Sequence, residues 1–284
     1  MRSLAVAAVA AALVAVPHGQ QRPAFSSGVN LVEVYAAVVD SKGMPVAGLT
    51  REDFSVYEDG RPQTIGAFAE GRFPLSVAVA IDRSFSMAKA LPVAKSAART
   101  FLGALDRDDQ SMLVAIGSDV DTLGALSTDR AAQFEAIDRL RPWGTTGLYD
   151  AVTRTIDTIE SARGRRALIL LSDGVDRYST ASEDQALEHA RGSDAMIYPV
   201  AIGDAAPFFT RLALLTGGRA FHAGNPAEAL AAMHAIADEL HHQYLLGYVP
   251  SRPIVAGRTE WRAISVRVRR PDVTVRTREG YLAQ

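Results

Sequence analysis

Leu75-Ser76-Val77-Ala78-Val79-Ala80-Ile81, followed at once by Asp82-Arg83-Ser84-Phe85-Ser86-Met87, is the stretch around which the chain is organised. An apolar run of this length, broken by a single serine, is the pattern of a strand covered on both faces, as parallel strands are inside α/β domains. Where the run stops, Asp82, Ser84 and Ser86 put oxygen-bearing side chains at every second position of a short loop. A helical pattern opens at Ala88, so the loop is expected at the carboxyl edge of the sheet, where open α/β folds bind ligands. Oxygen donors without histidine or cysteine suit a hard cation such as magnesium, manganese or calcium better than zinc. The loop by itself leaves a second reading open, in which Asp82 or Ser84 simply caps the helix that follows.

At 284 residues and 48% hydrophobic content, the chain has enough apolar material for one large core or two modest ones. A formal net charge of −2 gives no bulk attraction to nucleic acid or to anionic lipid. With no cysteine, disulfide stapling and thiolate chemistry are excluded. Met1-Arg2-Ser3 precedes an uncharged run from Leu4 to Val16, which Pro17 breaks. This is short for a membrane span and has the basic start and apolar middle of an export signal, expected over residues 1–19. Ala15 and Gly19 offer competing cleavage positions, and an uncleaved amino-terminal anchor is the alternative. The expected destination is the periplasm, the cell envelope or the exterior.

Beyond a polar linker, residues 29–70 alternate apolar and polar positions at Leu31, Val32, Val34, Ala36 and Val38, and Asp59-Gly60 between short runs is a hairpin signal. This antiparallel unit is too small to stand alone. From Leu75 onward, buried strands alternate with helices. The predicted helices are Ala88 to Leu105, one capped by Thr128 and running to Leu140, Leu148 to Ala162, Ser182 to Arg191, Pro207 to Thr216, and a last one from Pro226 to His242 capped by Asn225. Between them come strands at Met112 to Ile116, Asp121 to Leu126, Ala167 to Leu171, Ala195 to Ile202 and Arg219 to His222. The alternation predicts a doubly wound, mostly parallel sheet with helices on both faces, spanning residues 73–242.

The alternation ends at Gln243. Tyr244 to Tyr248, Trp261 to Arg269 and Val273 to Thr277 are strand-like, with Ile264, Val266 and Val268 facing one way and Ser265, Arg267 and Arg269 the other. That phasing makes the arginines a solvated sheet face rather than a polyanion site. Neither β piece closes a core by itself, so residues 29–70 and 243–284 are expected to meet as a small β-sandwich into which the α/β domain is inserted.

Two further stretches bear on the metal. Trp143-Gly144-Thr145-Thr146-Gly147-Leu148-Tyr149-Asp150 is a glycine-flanked pair of hydroxyls just before a helix, and Asp173 ends a buried strand. In a doubly wound sheet all three loops converge on one edge. At this point the chain resembles the von Willebrand factor type A domain, whose metal-ion-dependent adhesion site combines Asp-x-Ser-x-Ser, a loop threonine and a strand-end aspartate. The resemblance implies that Ser84, Ser86 and Thr146 bind the metal by their hydroxyls, with Asp82 and Asp173 acting through water or hydrogen bonds. Thr146 is preferred to Thr145 because family members place this threonine two residues before the helix leucine, here Leu148.

The flanks, Val46 to Phe54 with Glu58-Asp59-Gly60, and Tyr244 to Tyr248 with Gly280-Tyr281, are similar to the ends of an acidobacterial group of von Willebrand factor A-related exported proteins. The implied function is metal-dependent adhesion: a magnesium, manganese or calcium ion, with an aspartate or glutamate of a protein partner completing its coordination and no catalytic group required. This chain departs from the family's small loop residues at Arg83 and Phe85. Phe85 either packs into the loop or stands at its rim, and Arg83 is expected to be solvated.

A magnesium-dependent phosphohydrolase of the haloacid dehalogenase kind would use Asp82 as nucleophile, but it needs a second aspartate where Ser84 stands and a downstream lysine, and no lysine follows Lys95. Neither a Gly-Lys-Ser/Thr loop nor a Gly-x-Ser-x-Gly elbow is present. A structural module with a vestigial site is the third reading. The histidines His18, His189, His222, His234, His241 and His242 are expected to be solvated or capping. Asp119, Asp121, Asp176 and Asp184 read as loop residues, and Asp150 as favouring the first turn of its own helix.

Overall fold

The structure is a computed structural model and describes residues 31–255 and 257–284. The predicted export signal, His18 and the linker up to residue 30 lie outside the described residues. The chain opens with β1 (Val32–Asp40), β2 (Phe54–Glu58), β3 (Arg61–Gln63) and β4 (Ile65–Gly71). Asp59 and Gly60 both adopt positive φ, 47° and 76°, and join β2 to β3 as the expected hairpin.

The α/β part follows as β5 (Leu75–Asp82), α1 (Leu91–Ala104), β6 (Gln110–Ile116), β7 (Val120–Thr122), α2 (Arg130–Arg139), α3 (Leu148–Glu160) and β8 (Arg165–Ser172). It continues through α4 (Glu183–Gly192), β9 (Met196–Ile202), α5 (Pro207–Thr216), β10 (Phe221–Ala223) and α6 (Pro226–His241). The chain then returns to antiparallel structure with β11 (Gln243–Tyr248), β12 (Glu260–Val268), β13 (Val273–Arg276) and β14 (Gly280–Ala283).

The central sheet runs β10-β9-β8-β5-β6-β7, parallel except where β7 turns back on β6. Every residue of β5 is buried, and because strand side chains alternate, its two faces feed two cores. Val77, Val79 and Ile81 pack with Leu91 and Phe101 of α1 and Met233 and Ile236 of α6. Ala78 and Ala80 pack with Val152 of α3, Leu187 of α4 and Phe209 of α5. From β5 the sheet extends to β6 on one side and β8 on the other, so the loops leaving β5 and β8 flank a topological switch point.

The two end pieces form two further four-stranded sheets, β13-β1-β11-β4 and β14-β12-β2-β3, each drawing strands from both ends of the chain. Their inner faces share one core, in which Val34, Tyr244 and Leu246 of the first sheet meet Phe54, Val56 and Ile264 of the second. The fold class is thus the expected one, a doubly wound mostly parallel sheet accompanied by antiparallel sheets from both termini.

Local boundaries differ where turns compete with helix. The helix expected from Ala88 begins at Leu91, because Met87 N–H donates to Ser84 O and Ala90 N–H to Met87 O, winding residues 84–90 into tight turns first. Asp129 rather than Thr128 caps α2, its carboxylate accepting from Ala132 N–H at 3.1 Å. Asn225 caps α6 with Pro226 in its first turn, as read from the sequence. No helix among the described residues is long and apolar enough to cross a membrane.

Candidate metal centre

Asp82 is the last residue of β5 and is fully buried. One carboxylate oxygen accepts from Ser84 N–H at 2.9 Å and the other from the Ser172 hydroxyl at 2.6 Å. Ser172 ends the adjacent strand β8, so the strand register aims it at Asp82. Helix α1 has no side-chain cap, which removes the capping reading of Asp82 and Ser84. Burial raises the Asp82 carboxyl above its ordinary range, the bonds from Ser172 and Ser84 pull it back, and the charge of Asp173 raises it again. Two carboxylates within electrostatic reach of one another favour a cation beside them.

The hydroxyls of Ser84, buried, and Ser86, exposed, lie 3.1 Å apart. Thr146 is fully buried, and its hydroxyl has no hydrogen-bond partner among the described residues. A buried hydroxyl left unpaired costs about 1–3 kcal/mol. Neighbouring Thr145 is exposed and engaged with Ser118, whose hydroxyl accepts from Thr145 N–H at 3.1 Å and lies 3.5 Å from the Thr145 hydroxyl. Of the two threonines, Thr146 is therefore the one with a free ligand atom.

Backbone contacts draw the loops together. Phe85 N–H donates to Gly144 O at 3.0 Å, and Trp143 N–H to Arg83 O at 2.7 Å. Gly144 has φ +73°, and a Cβ there would sit 2.5 Å from the Ser118 hydroxyl, so no larger residue fits this approach. Thr146 O accepts from the N–H groups of Arg177 and Tyr178 at 2.9 and 3.0 Å. Half-buried Asp173 turns one carboxylate oxygen to Val175 N–H at 3.0 Å.

Several flanking residues do other work than expected. Asp150 stands in the first turn of its own helix, as read from the sequence, and its carboxylate also accepts from Thr180 and Ala181 N–H, both at 2.9 Å. Asp176 reciprocates by capping α3, accepting from Leu148 N–H at 2.8 Å and from the Ser179 hydroxyl at 2.5 Å. This exchange clamps the threonine loop to the loop after β8. Arg83 is not solvated but pairs with Asp121 at 2.5 Å, its side chain 20% exposed. Phe85 does not pack inward and is 64% exposed.

Sequence reasoning missed Ser172, although Ser172-Asp173-Gly174 at a strand end carried the signal, and it misjudged His241. That residue is buried, with Nε2 3.4 Å from Asp109 and 3.8 Å from Asp106, at the opposite edge of the sheet. Asp106, Asp109 and His241 lie close enough to hold an ion, but their oxygens are already taken. Asp106 pairs with Arg72 at 2.5 Å, and Asp109 accepts from Leu75 N–H at 3.2 Å and Asp106 N–H at 3.0 Å. Burial works against the Asp109 charge, yet the bonds from His241, Asp106 and Leu75 outweigh it and hold the carboxyl below its usual range. The group acts as a clamp.

Residues 77–175 match the family model for the von Willebrand factor type A domain. No curated protein matches the chain. Among solved structures, a von Willebrand factor type A protein from Catenulispora acidiphila is similar at TM-score 0.53 and 16% identity, over 88% of this chain and 73% of that one. Proximal thread matrix protein 1 from the mussel byssus, with a zinc-occupied MIDAS motif, is similar at TM-score 0.55 and 14% identity, over 66% of this chain and 50% of its own. The von Willebrand factor domain of the type V pilus tip protein Mfa5 from Porphyromonas gingivalis gives TM-score 0.50 and 14% identity, over 58% of this chain and 94% of its own. At these identities the likeness is one of fold.

Proposed function

We propose, from the match of residues 77–175 to the von Willebrand factor type A model, that this chain is an exported adhesion module that binds a divalent cation and, through it, a carboxylate of a protein partner. The Ser84, Ser86 and Thr146 hydroxyls would hold the ion directly, with Asp82 and Asp173 acting through water or hydrogen bonds. The observation that carries this reading is the buried Thr146 hydroxyl with no partner among the described residues, on a loop that backbone contacts tie to the Ser84–Ser86 loop and to the loop after Asp173. An all-oxygen donor set favours magnesium, with manganese or calcium as substitutes. An ion held mainly by neutral hydroxyls and water keeps most of its charge and accepts a carboxylate from outside. Export rests on the basic start and apolar run of residues 1–19.

The reading needs no nucleophile. Asp82 is occupied on both oxygens by Ser84 and Ser172, and Ser84 stands where a phosphohydrolase would need its second aspartate. Magnesium or manganese is expected to raise the melting temperature of the purified chain, and Asp82→Ala to abolish the rise. Envelope proteins cross-linked to the wild type in magnesium are expected to be lost with chelator and with Asp82→Ala. An equal thermal response in the variant removes the ion from this site, and metal-dependent hydrolysis of phosphate esters that Asp82→Ala abolishes would replace adhesion with catalysis.

A further inference from the structure

Among the described residues, the large aromatic side chains that stand exposed are Phe85, Trp143 and Tyr178, at 64%, 56% and 64%. Each belongs to a different one of the three loops that converge on the candidate metal centre. Phe85 lies between Ser84 and Ser86, Trp143 precedes the threonine pair, and Tyr178 follows Asp173 on the loop after β8. Val175, 41% exposed, adds an aliphatic side chain to the third loop. Single exposed apolar residues scattered over a surface are ordinary, but here the exposed aromatics gather around one place.

These side chains are carried on fixed backbone. The N–H groups of Phe85, Trp143 and Tyr178 are spent on Gly144 O, Arg83 O and Thr146 O, contacts that tie one loop to the next. The Trp143 ring edge also lies against Gly117, where an added Cβ would meet it at 3.4 Å. Anchors held in place before binding lose little conformational freedom on contact. None of the three rings stacks on another ring or under a cation among the described residues.

Several of the acids around the rim are already engaged, although exposed Asp119, beside the Ser118 that holds Thr145, enters no ion pair among the described residues. Asp121 is neutralised by Arg83, while Asp150 and Asp176 are spent on backbone N–H groups. Lys89 and Arg177 are exposed on the same loops and enter no ion pair among the described residues. With free charges of both signs, what distinguishes this surface is its exposed apolar rings around a centre suited to a carboxylate. Phe85 and Val175 bring no hydrogen-bonding group, which suits apolar side chains better than hydroxylated sugar faces.

We propose that this rim sets the specificity of the site and takes a protein segment whose aspartate or glutamate is flanked by bulky apolar side chains. The proposal rests on the metal-dependent carboxylate binding put forward above and adds what the partner presents beside its acid. Tryptophan and tyrosine at the centre of an interface commonly carry the largest share of its energy.

A display library of random peptides, bound to the intact chain in magnesium and released by chelator, tests this. The expected selection is of peptides with aspartate or glutamate next to tryptophan, phenylalanine, leucine or isoleucine. The synthetic consensus peptide is expected to bind Trp143→Ser and Tyr178→Ser at least about tenfold more weakly than wild type, with the magnesium-induced rise in melting temperature retained. Chelator-released acidic peptides without apolar flanks, or unchanged affinity in both variants, overturn the rim and leave the metal reading standing. The absence of any chelator-released peptide, or the same peptides selected by Asp82→Ala, overturns both. Magnesium-dependent binding to a glycan array, or magnesium-dependent self-association in sedimentation velocity, with no peptide selected, assigns the rim to those occupants instead.

Discussion

Thr146→Val replaces a hydroxyl by a methyl group on the same β-branched frame, and it acts on two states in opposite senses. Thr146 is fully buried with an unpaired hydroxyl, so without an ion the wild type carries the cost of desolvating that group, about 1–3 kcal/mol. Valine removes the cost. In chelator the variant is therefore expected to melt above the wild type, by about 2–4 °C for each kcal/mol recovered in a chain of this size class. With an ion at a concentration 100 times its dissociation constant, the wild type gains about 2.7 kcal/mol. If loss of one ligand weakens binding about 100-fold, the variant at the same concentration gains only RT ln 2, about 0.4 kcal/mol. Differential scanning calorimetry with and without magnesium reads both quantities. Thr145→Val serves as control, since Thr145 is exposed and engaged with Ser118, and it should respond to magnesium as the wild type does. A Thr146→Val protein that is less stable than wild type in chelator, yet responds fully to magnesium, would show that the hydroxyl serves the fold and would falsify its role as a ligand.

Asp176→Ala removes the acceptor for Leu148 N–H and the Ser179 hydroxyl, and the loss of such a cap costs about 0.5–2 kcal/mol. It is also expected to weaken the magnesium response, because the threonine loop loses its clamp; a lower melting point with an unchanged response would uncouple the two. Asp109 is held below its ordinary range by His241 and two backbone N–H groups, so its contribution is present in full above the unfolded value of 3.8 and lost as pH falls through the lower folded value. Asp109→Asn is expected to lower the melting temperature at neutral pH and to flatten its decline in acid, as followed by circular dichroism; an unaltered acid limb would place the titrating group elsewhere.

The sheet and the three loops that converge at its carboxyl edge were legible because their signals are local. β5 is an apolar run whose every side chain is buried, and the hydroxyl and carboxylate residues stand immediately past strand ends or before helix α3. What escaped is set by tertiary approach. Asp150 and Asp176 exchange backbone partners some thirty residues apart in sequence, a relation no window of periodicity contains. His241 reads as a solvated helix end until α6 sets it against Asp109, 132 residues earlier. Arg262 was legible in principle. It shares the phase of Ile264 and Val266, and it is fully buried against Glu58, Glu260 and the carbonyls of Arg252 and Pro253. Its charge suggested solvent, while its register dictated the core.

The placement of the clamp around Asp109 bears on how the candidate metal centre is presented. Both covalent crossings between the α/β part and the antiparallel sheets, from β4 into β5 and from α6 into β11, lie at the amino edge of the central sheet, opposite the metal loops. Buried Arg165 reaches both, donating to Phe73 O at 3.1 Å on the first and to Gln243 at 2.7 Å and Leu240 O on the second. Glu239 near the end of α6 accepts from the Tyr198 hydroxyl at 3.0 Å and from Arg276 of β13. Charges are costly to bury, and each here has a partner on the other unit, although the Nε atoms of Arg165 and Arg276 have none among the described residues. The antiparallel sheets thus form a base fixed to the α/β part at two points, at the sheet edge opposite the candidate metal loops. The adhesion proposed above would be served by that geometry, since the candidate binding edge stays free while the two attachments are locked behind it.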